Sequence, residues 1–269
     1  AKEWFNKALD NGLAMFQGNL RNIYIDEADF SNARRVAKTA AELGNPAMML
    51  YTGLDCHENG KFEDAFTWFT KGASLGQSES IAELADYYYH FYDAKELRST
   101  IPYDPVKAIG LYRRAATKQF SDAGYTALQA AFGYIFHIGH LPLDWGLIAD
   151  LTHMAATKDR FIFALPYIGY MRIHGLGVTK NIRFGVQSLL RVLDEEQRAF
   201  EEENRVLFYD ITRALTRVAL GYAYEKGYVT GKPDLDQAVS YYEQSHQYIL
   251  SHKANLDPEL KDIPIDDEA

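Results

Sequence analysis

The chain repeats one twelve-residue phrase. Ala1-Lys-Glu-Trp4-Phe5-Asn-Lys7-Ala8-Leu-Asp-Asn-Gly12 matches Ala65-Phe-Thr-Trp68-Phe69-Thr-Lys71-Gly72-Ala-Ser-Leu-Gly76, with Trp, aromatic, Lys, small residue and Gly at the same spacing. Looser copies begin at Ala33, ending at Gly44, and at Ala108, and Ala115-Ala116-Thr117-Lys118 recurs as Ala155-Ala156-Thr157-Lys158. One such unit cannot bury its own apolar face. It has to stack on its neighbours, which restricts the chain to a solenoid with a long surface in place of a closed pocket.

The period follows from the small residue that opens the second helix of each unit. Ala1, Ala33, Ala65, Ala108, Gly146, Gly185 and Ala238 are separated by 32, 32, 43, 38, 39 and 53 residues. The short spacings lie near the period of roughly 34 of tetratricopeptide repeats, and the longer ones imply insertions at loops or helix ends. The other half of the unit recurs as well: Ile168-Gly169-Tyr170-Met171-Arg172-Ile173-His174-Gly175 has a cousin in Leu220-Gly221-Tyr222-Ala223-Tyr224-Glu225-Lys226-Gly227, with Thr52-Gly53 and Leu84-Ala85 in the same place earlier. Small residues there let two helix backbones approach closely.

The segment 168–185, with its Gly175-Leu-Gly177-Val178 turn, Lys180-Asn181 and small Gly185, resembles the Sel1-like repeat proteins, relatives of the tetratricopeptide repeats. The resemblance runs from Ala1 to about Gln247. It departs in a short loop after Gly60, a long loop at 93–105 without glycine, and an insertion near 186–210. It implies an all-α fold, an α-solenoid in which antiparallel helix pairs form a right-handed superhelix, and a role in assembling protein complexes. The expected organisation is a repeat array over 1–253, about six repeats, followed by an acidic tail at 254–269. Ala1 falls inside a repeat, so the reading expects the protein to extend or to have been processed at that end.

Hydrophobic spacing predicts about thirteen helices. Second helices are expected near 1–11, 29–43, 61–75, 104–118, 143–157, 182–203 and 234–253, and first helices near 13–26, 46–58, 78–97, 121–138, 160–174 and 204–226. Asp29, Ser31, Ser78, Pro105 and Asp234 mark starts, and Gly12, Gly44 and Gly76 mark ends. Trp4 and Trp68 are expected as equivalent core residues between the helices of successive repeats.

The formal charge is −9 with Lys and Arg scattered, which makes nucleic acid and anionic membranes poor partners. No apolar run approaches the roughly 20 residues of a membrane span. The single Cys56 forbids an internal disulfide and reads as a packed thiol, since the adjacent His57 points elsewhere on a helix. Phosphate-cradling glycine loops, zinc spacings and nucleophile elbows are missing from the sequence. His137-x-x-His140 lacks a third ligand. Asp194-Glu195-Glu196 and Glu201-Glu202-Glu203 read as a solvated face paired with Arg198 and Arg205. The expectation is therefore no enzyme, no cofactor and no metal.

What remains is a pattern on the first helices. In related repeats these line the concave surface, and spacing carries that position to Asp86, Tyr89 and His90, then Tyr134 and His137, then Tyr170 and His174, then Tyr222, Glu225 and Lys226. The tyrosines each follow a small residue (Gly133, Gly169, Gly221), and His57, His90, His137 and His174 sit near helix ends. Tyrosine offers large contact area with a hydrogen-bonding tip, suited to binding a protein or peptide. The other reading is that tyrosine fills packing positions and histidine caps helix C-termini. Arg113 is expected on the opposite face. Two functions stay open: a non-enzymatic scaffold or adaptor with a concave binding face, and an enzyme or small-ligand binder built on a helical frame.

Overall fold

The computed structural model describes residues 2–13, 17–89, 100–118, 120–135, 138–158, 162–199 and 208–255. Among them are thirteen α-helices: α1 Lys2–Asp10, α2 Gln17–Asp26, α3 Phe30–Glu42, α4 Pro46–Glu58, α5 Phe62–Ser74, α6 Ser78–Tyr89, α7 Pro105–Ala116, α8 Ala123–Ile135, α9 Trp145–Lys158, α10 Leu165–His174, α11 Ile182–Ala199, α12 Phe208–Glu225 and α13 Leu235–Asn255, with short 3-10 turns at Ile138–His140 and Ile162–Ala164. No strand occurs among the described residues, so the all-α repeat class is as expected. The chain forms two compact units, 1–143 and 144–269. The acidic tail lies, from 256 on, outside the described residues.

The helix ends follow from local chemistry. Asp29 accepts from the Asn32 amide at 3.1 Å, Asp104 from Lys107 at 3.0 Å ahead of Pro105, and Asp234 from Gln237 at 3.1 Å. Each side chain satisfies a first-turn N–H that has no partner within the helix. Ser78 is instead the first helical residue of α6, and the Gln77 side chain accepts from the Ser80 amide. Gly12, Gly44 and Gly76 take φ of 77°, 93° and 82°, the left-handed conformation that ends a helix.

In the first unit each helix packs on the next, from α1 to α8, and alternate helices also meet, α1 with α3, α2 with α4 and α4 with α6. Short connections make successive helices antiparallel. The apolar row of α5 is Ala65, Phe69, Gly72 and Ala73, spaced i, i+4, i+7, i+8 on one face. Phe69 is wholly buried and its ring lies where Gly53 of α4 has no side chain; a Cβ on Gly53 would come within 2.5 Å of it. The second unit repeats the device. A Cβ on Gly169 of α10 would sit 3.0 Å from the Gly185 carbonyl of α11, and one on Gly185 would sit 2.7 Å from the Gly169 carbonyl. There the two backbones touch, as the spacing of small residues predicts.

The tryptophans correct the expectation. Trp4 is 76% exposed, with Lys7 Nζ 5.4 Å from its ring centroid. Trp68 is half-buried at the margin of the first-unit core, with Lys71 Nζ 4.4 Å over its ring. One residue on a helix is a turn of about 100°, so the residue after Trp68 points inward and the tryptophan lies on the flank. The copies are equivalent in sequence, but the buried aromatic of the phrase is the second one.

Truncating Phe69 to Ala should therefore cost about 3–5 kcal/mol, as deletion of a large buried aromatic does. Trp4→Ala should stay within about 0.5 kcal/mol of the parent. Urea unfolding followed by circular dichroism separates the two; equal losses would mean the inward row is misassigned.

Candidate functional site

The expected site residues gather most tightly in the second unit. Tyr170 follows the Gly169 seam and is turned onto the flank of α10, and His174 is one turn further on. Their ring centroids lie 4.4 Å apart. His174 then meets Tyr222 of α12 at 4.8 Å, and Tyr222 meets Tyr228 edge-on at 6.2 Å. The stack rests half-buried on a core of Ile173, Val186, Leu189, Ala219, Leu220 and Ala223. At its far end Lys226 Nζ lies 5.4 Å over the Tyr222 ring and 2.5 Å from Glu225 Oε1. The Tyr242 hydroxyl of α13 donates to Glu225 Oε2 at 3.0 Å. Lys226, and next Tyr242, hold the Glu225 carboxyl below its ordinary value, and Glu225 in turn raises the Lys226 ammonium. Burial, helped by Lys180, pulls the His174 imidazole below its ordinary value.

This is a continuous aromatic strip across two successive first helices, ending in an ion pair. It offers ring faces, hydroxyl and imidazole tips and one ammonium to a partner. Of the expected residues it unites Tyr170, His174, Tyr222, Glu225 and Lys226. Sequence reasoning missed Tyr228 and Tyr242. Tyr228 follows directly on Gly227, whose φ of 72° ends the helix, and Tyr242 packs where Gly221 leaves space; those glycines were the available signal.

The first unit uses its residues differently. Asp86 is only 8% exposed and accepts a hydrogen bond from the Tyr112 hydroxyl. Tyr89 is half-buried, with its ring 6.5 Å from Tyr112 and 6.4 Å from Tyr103. Burial pushes the Asp86 carboxyl up to about 7, against the Tyr112 hydrogen bond and with help from Glu83 and Asp122. Tyr134 is 8% exposed and its hydroxyl accepts from Arg113 at 3.1 Å. Arg113 is thus a partner of Tyr134 and not a residue of the opposite face; α7 and α8 pack side by side and bring them together. His90 and His137 lie outside the described residues.

The remaining sequence candidates resolve as structural groups. His57 Nδ1 is 2.7 Å from the Tyr87 hydroxyl, and burial lowers the imidazole. Cys56 is half-buried and burial raises its thiol, with Asp64 and Asp55 adding to it. Glu196 is not on a solvated face. Arg217 lies 2.6 Å from it and Arg213 3.6 Å, all three largely buried, because α12 packs on α11. Burial pushes the Glu196 carboxyl up and Arg217 opposes it. Among the described residues no group of three His, Cys, Asp or Glu could hold a metal, and no helix is long and apolar enough to cross a membrane.

A Sel1 repeat model matches residues 1–13, 37–77, 78–120, 165–187 and 212–245. No curated protein matches the sequence. Two crystal structures share the fold. One is c5321, a protective antigen present in uropathogenic Escherichia coli strains displaying an SLR fold, at 19% identity and a TM-score of 0.59 over 94% of this chain. This chain spans 58% of that protein's chain. The other is a Sel1 repeat protein from Oxalobacter formigenes, at 18% identity and a TM-score of 0.58, covering 88% of this chain and 85% of that one.

Asp86 makes stability pH-dependent with a definite sign. Its folded pKa lies above the unfolded value, so the folded state holds the extra proton. Its contribution is therefore present below about pH 4 and is lost as pH rises towards 7. Asp86→Asn, which keeps an acceptor for Tyr112, should remove that slope and leave the protein more stable than the parent at pH 8. Denaturant midpoints from pH 4 to 8 test it; a parallel slope in the variant would show that Asp86 is not the group.

Proposed function

The chain belongs to the Sel1 repeat family, and on that premise we propose that it is a non-enzymatic scaffold that holds a protein or peptide and helps a complex assemble. Proteins of this family typically mediate protein–protein interactions. The binding surface in this reading is the concave face lined by first helices, with Tyr170, His174, Tyr222, Glu225 and Lys226 as its centre. In the first unit Asp86 and Tyr134 are buried in packing and Tyr89 is half-buried, so the proposal rests on the second-unit residues.

One observation carries the proposal. The Tyr170–His174–Tyr222 ring stack joins α10 to α12 without a break while remaining half-exposed. Rings already ordered against a core lose little freedom when a partner covers them, which is why aromatic residues dominate binding energy at interfaces. The enzyme alternative needs titratable groups converging in an enclosed site. Here the two carboxylates raised by burial are taken up in packing contacts, Asp86 with the Tyr112 hydroxyl and Glu196 with Arg217.

The test begins with a partner recovered on the immobilised chain and then purified. Tyr222→Ala and Lys226→Ala should each weaken its binding by more than about 1 kcal/mol in calorimetry, the mark of a residue that matters at an interface, with helical content unchanged. If Tyr170→Ala, Tyr222→Ala and Lys226→Ala all bind like the parent while changes near Lys180 or Lys232 abolish binding, the inter-repeat loops carry the contact and this face does not.

A further inference from the structure

We propose that the first unit carries a separate docking groove for an acidic peptide segment bearing an apolar side chain. A groove of about 740 Å³ opens among α2, α3, α4 and α5. Its floor is apolar and aromatic, with Phe30, Tyr51 and Trp68 presenting ring surface that the core does not cover; Phe30 is 58% exposed. Its walls are cationic against the trend of the molecule. Arg21, Arg34, Arg35, Lys38 and Lys61 face three carboxylates there, whereas the chain as a whole carries −9.

The disposition of those charges selects the occupant. Arg34 is neutralised by Asp55 at 2.5 Å. The Arg21 guanidinium lies over the Tyr51 ring, 3.7 Å from its centroid, with Nη1 3.5 Å from the Asn22 side-chain oxygen, so the cation is held at the rim of the groove. Arg35 is positioned by the Asn32 side chain at 3.1 Å. Lys38 and Lys61 are exposed and have no carboxylate partner among the described residues. Asp55, Glu58 and Asp64 line the groove against five cations, so a neutral or basic segment would leave a net positive wall unanswered. An acidic segment pairs them and places its apolar side chain on the exposed rings, as peptide recognition by basic clusters does elsewhere.

Cys56 lines this groove and is the only cysteine, so the chain carries its own reporter. The probe is a fluorescein-labelled Glu-Asp-Leu-Phe-Asp-Glu peptide, with Gln-Asn-Leu-Phe-Asn-Gln as its uncharged counterpart. Anisotropy should give saturable binding of the acidic peptide, weakened at least about tenfold in Lys38→Glu and in Lys61→Glu and by raised salt. Both side chains are exposed, and circular dichroism checks that the variants fold. Saturating peptide should slow modification of Cys56 by a disulfide reagent at pH 8. Tyr222→Ala should leave this binding unchanged, which separates it from the face proposed above. No saturable binding, equal binding of the uncharged peptide, parent-like affinity in both lysine variants, or unaltered Cys56 reactivity at saturation would each overturn the groove as an acidic-peptide site.

Discussion

Close backbone approach between helix pairs is the constraint on which the rest of this protein depends. At the described seams the helices are buried by neighbours that approach over glycine and alanine. At Gly53 the seam takes the Phe69 ring, and at Gly169 and Gly185 it takes backbone against backbone. The seam also sets what the next residue does. A helix turns about 100° per residue, so Tyr170, one step after Gly169, and Tyr222, one step after Gly221, emerge on the flank. Because the two first helices meet, those flanks are adjacent, and His174 fills the space between their rings. The aromatic strip is in this sense a by-product of tight packing beneath it.

The same dependence explains what could be read from the sequence. A small residue recurring at fixed spacing has few uses, so the helices, their order and the seams were legible. Left-handed glycines and the Asp29 and Asp234 caps act through neighbours within four residues, and they too were visible. Orientation was not. Repetition of Trp-Phe shows that two copies are equivalent without showing which ring turns inward, and the buried one is Phe69. Partners brought together across helices were also hidden. Arg113 meets Tyr134 from 21 residues away, and Glu196 meets Arg217 across the segment that looked like a polar insertion. The cationic groove is lined from four helices, and no window of sequence contains it.

Two buried carboxylates illustrate how the fold treats charge. Asp86 accepts from the Tyr112 hydroxyl, and burial, with Glu83 and Asp122 adding to it, drives it towards the neutral acid. Glu196 sits between two guanidiniums, which oppose the same burial. The first solution costs stability at neutral pH, and the second ties α11 to α12 through a contact that fails if either side is removed.

Within each unit, every helix packs on its immediate neighbour or the one after it. Contacts of such short sequence separation have low loop-closure entropy and form quickly. During synthesis α4 meets α5 as soon as that helix leaves the ribosome, and both meet α6 next. The growing end exposes one apolar face at a time, and each new helix covers it before the next is made, so assembly proceeds in the order of translation with little surface left open to misfolding.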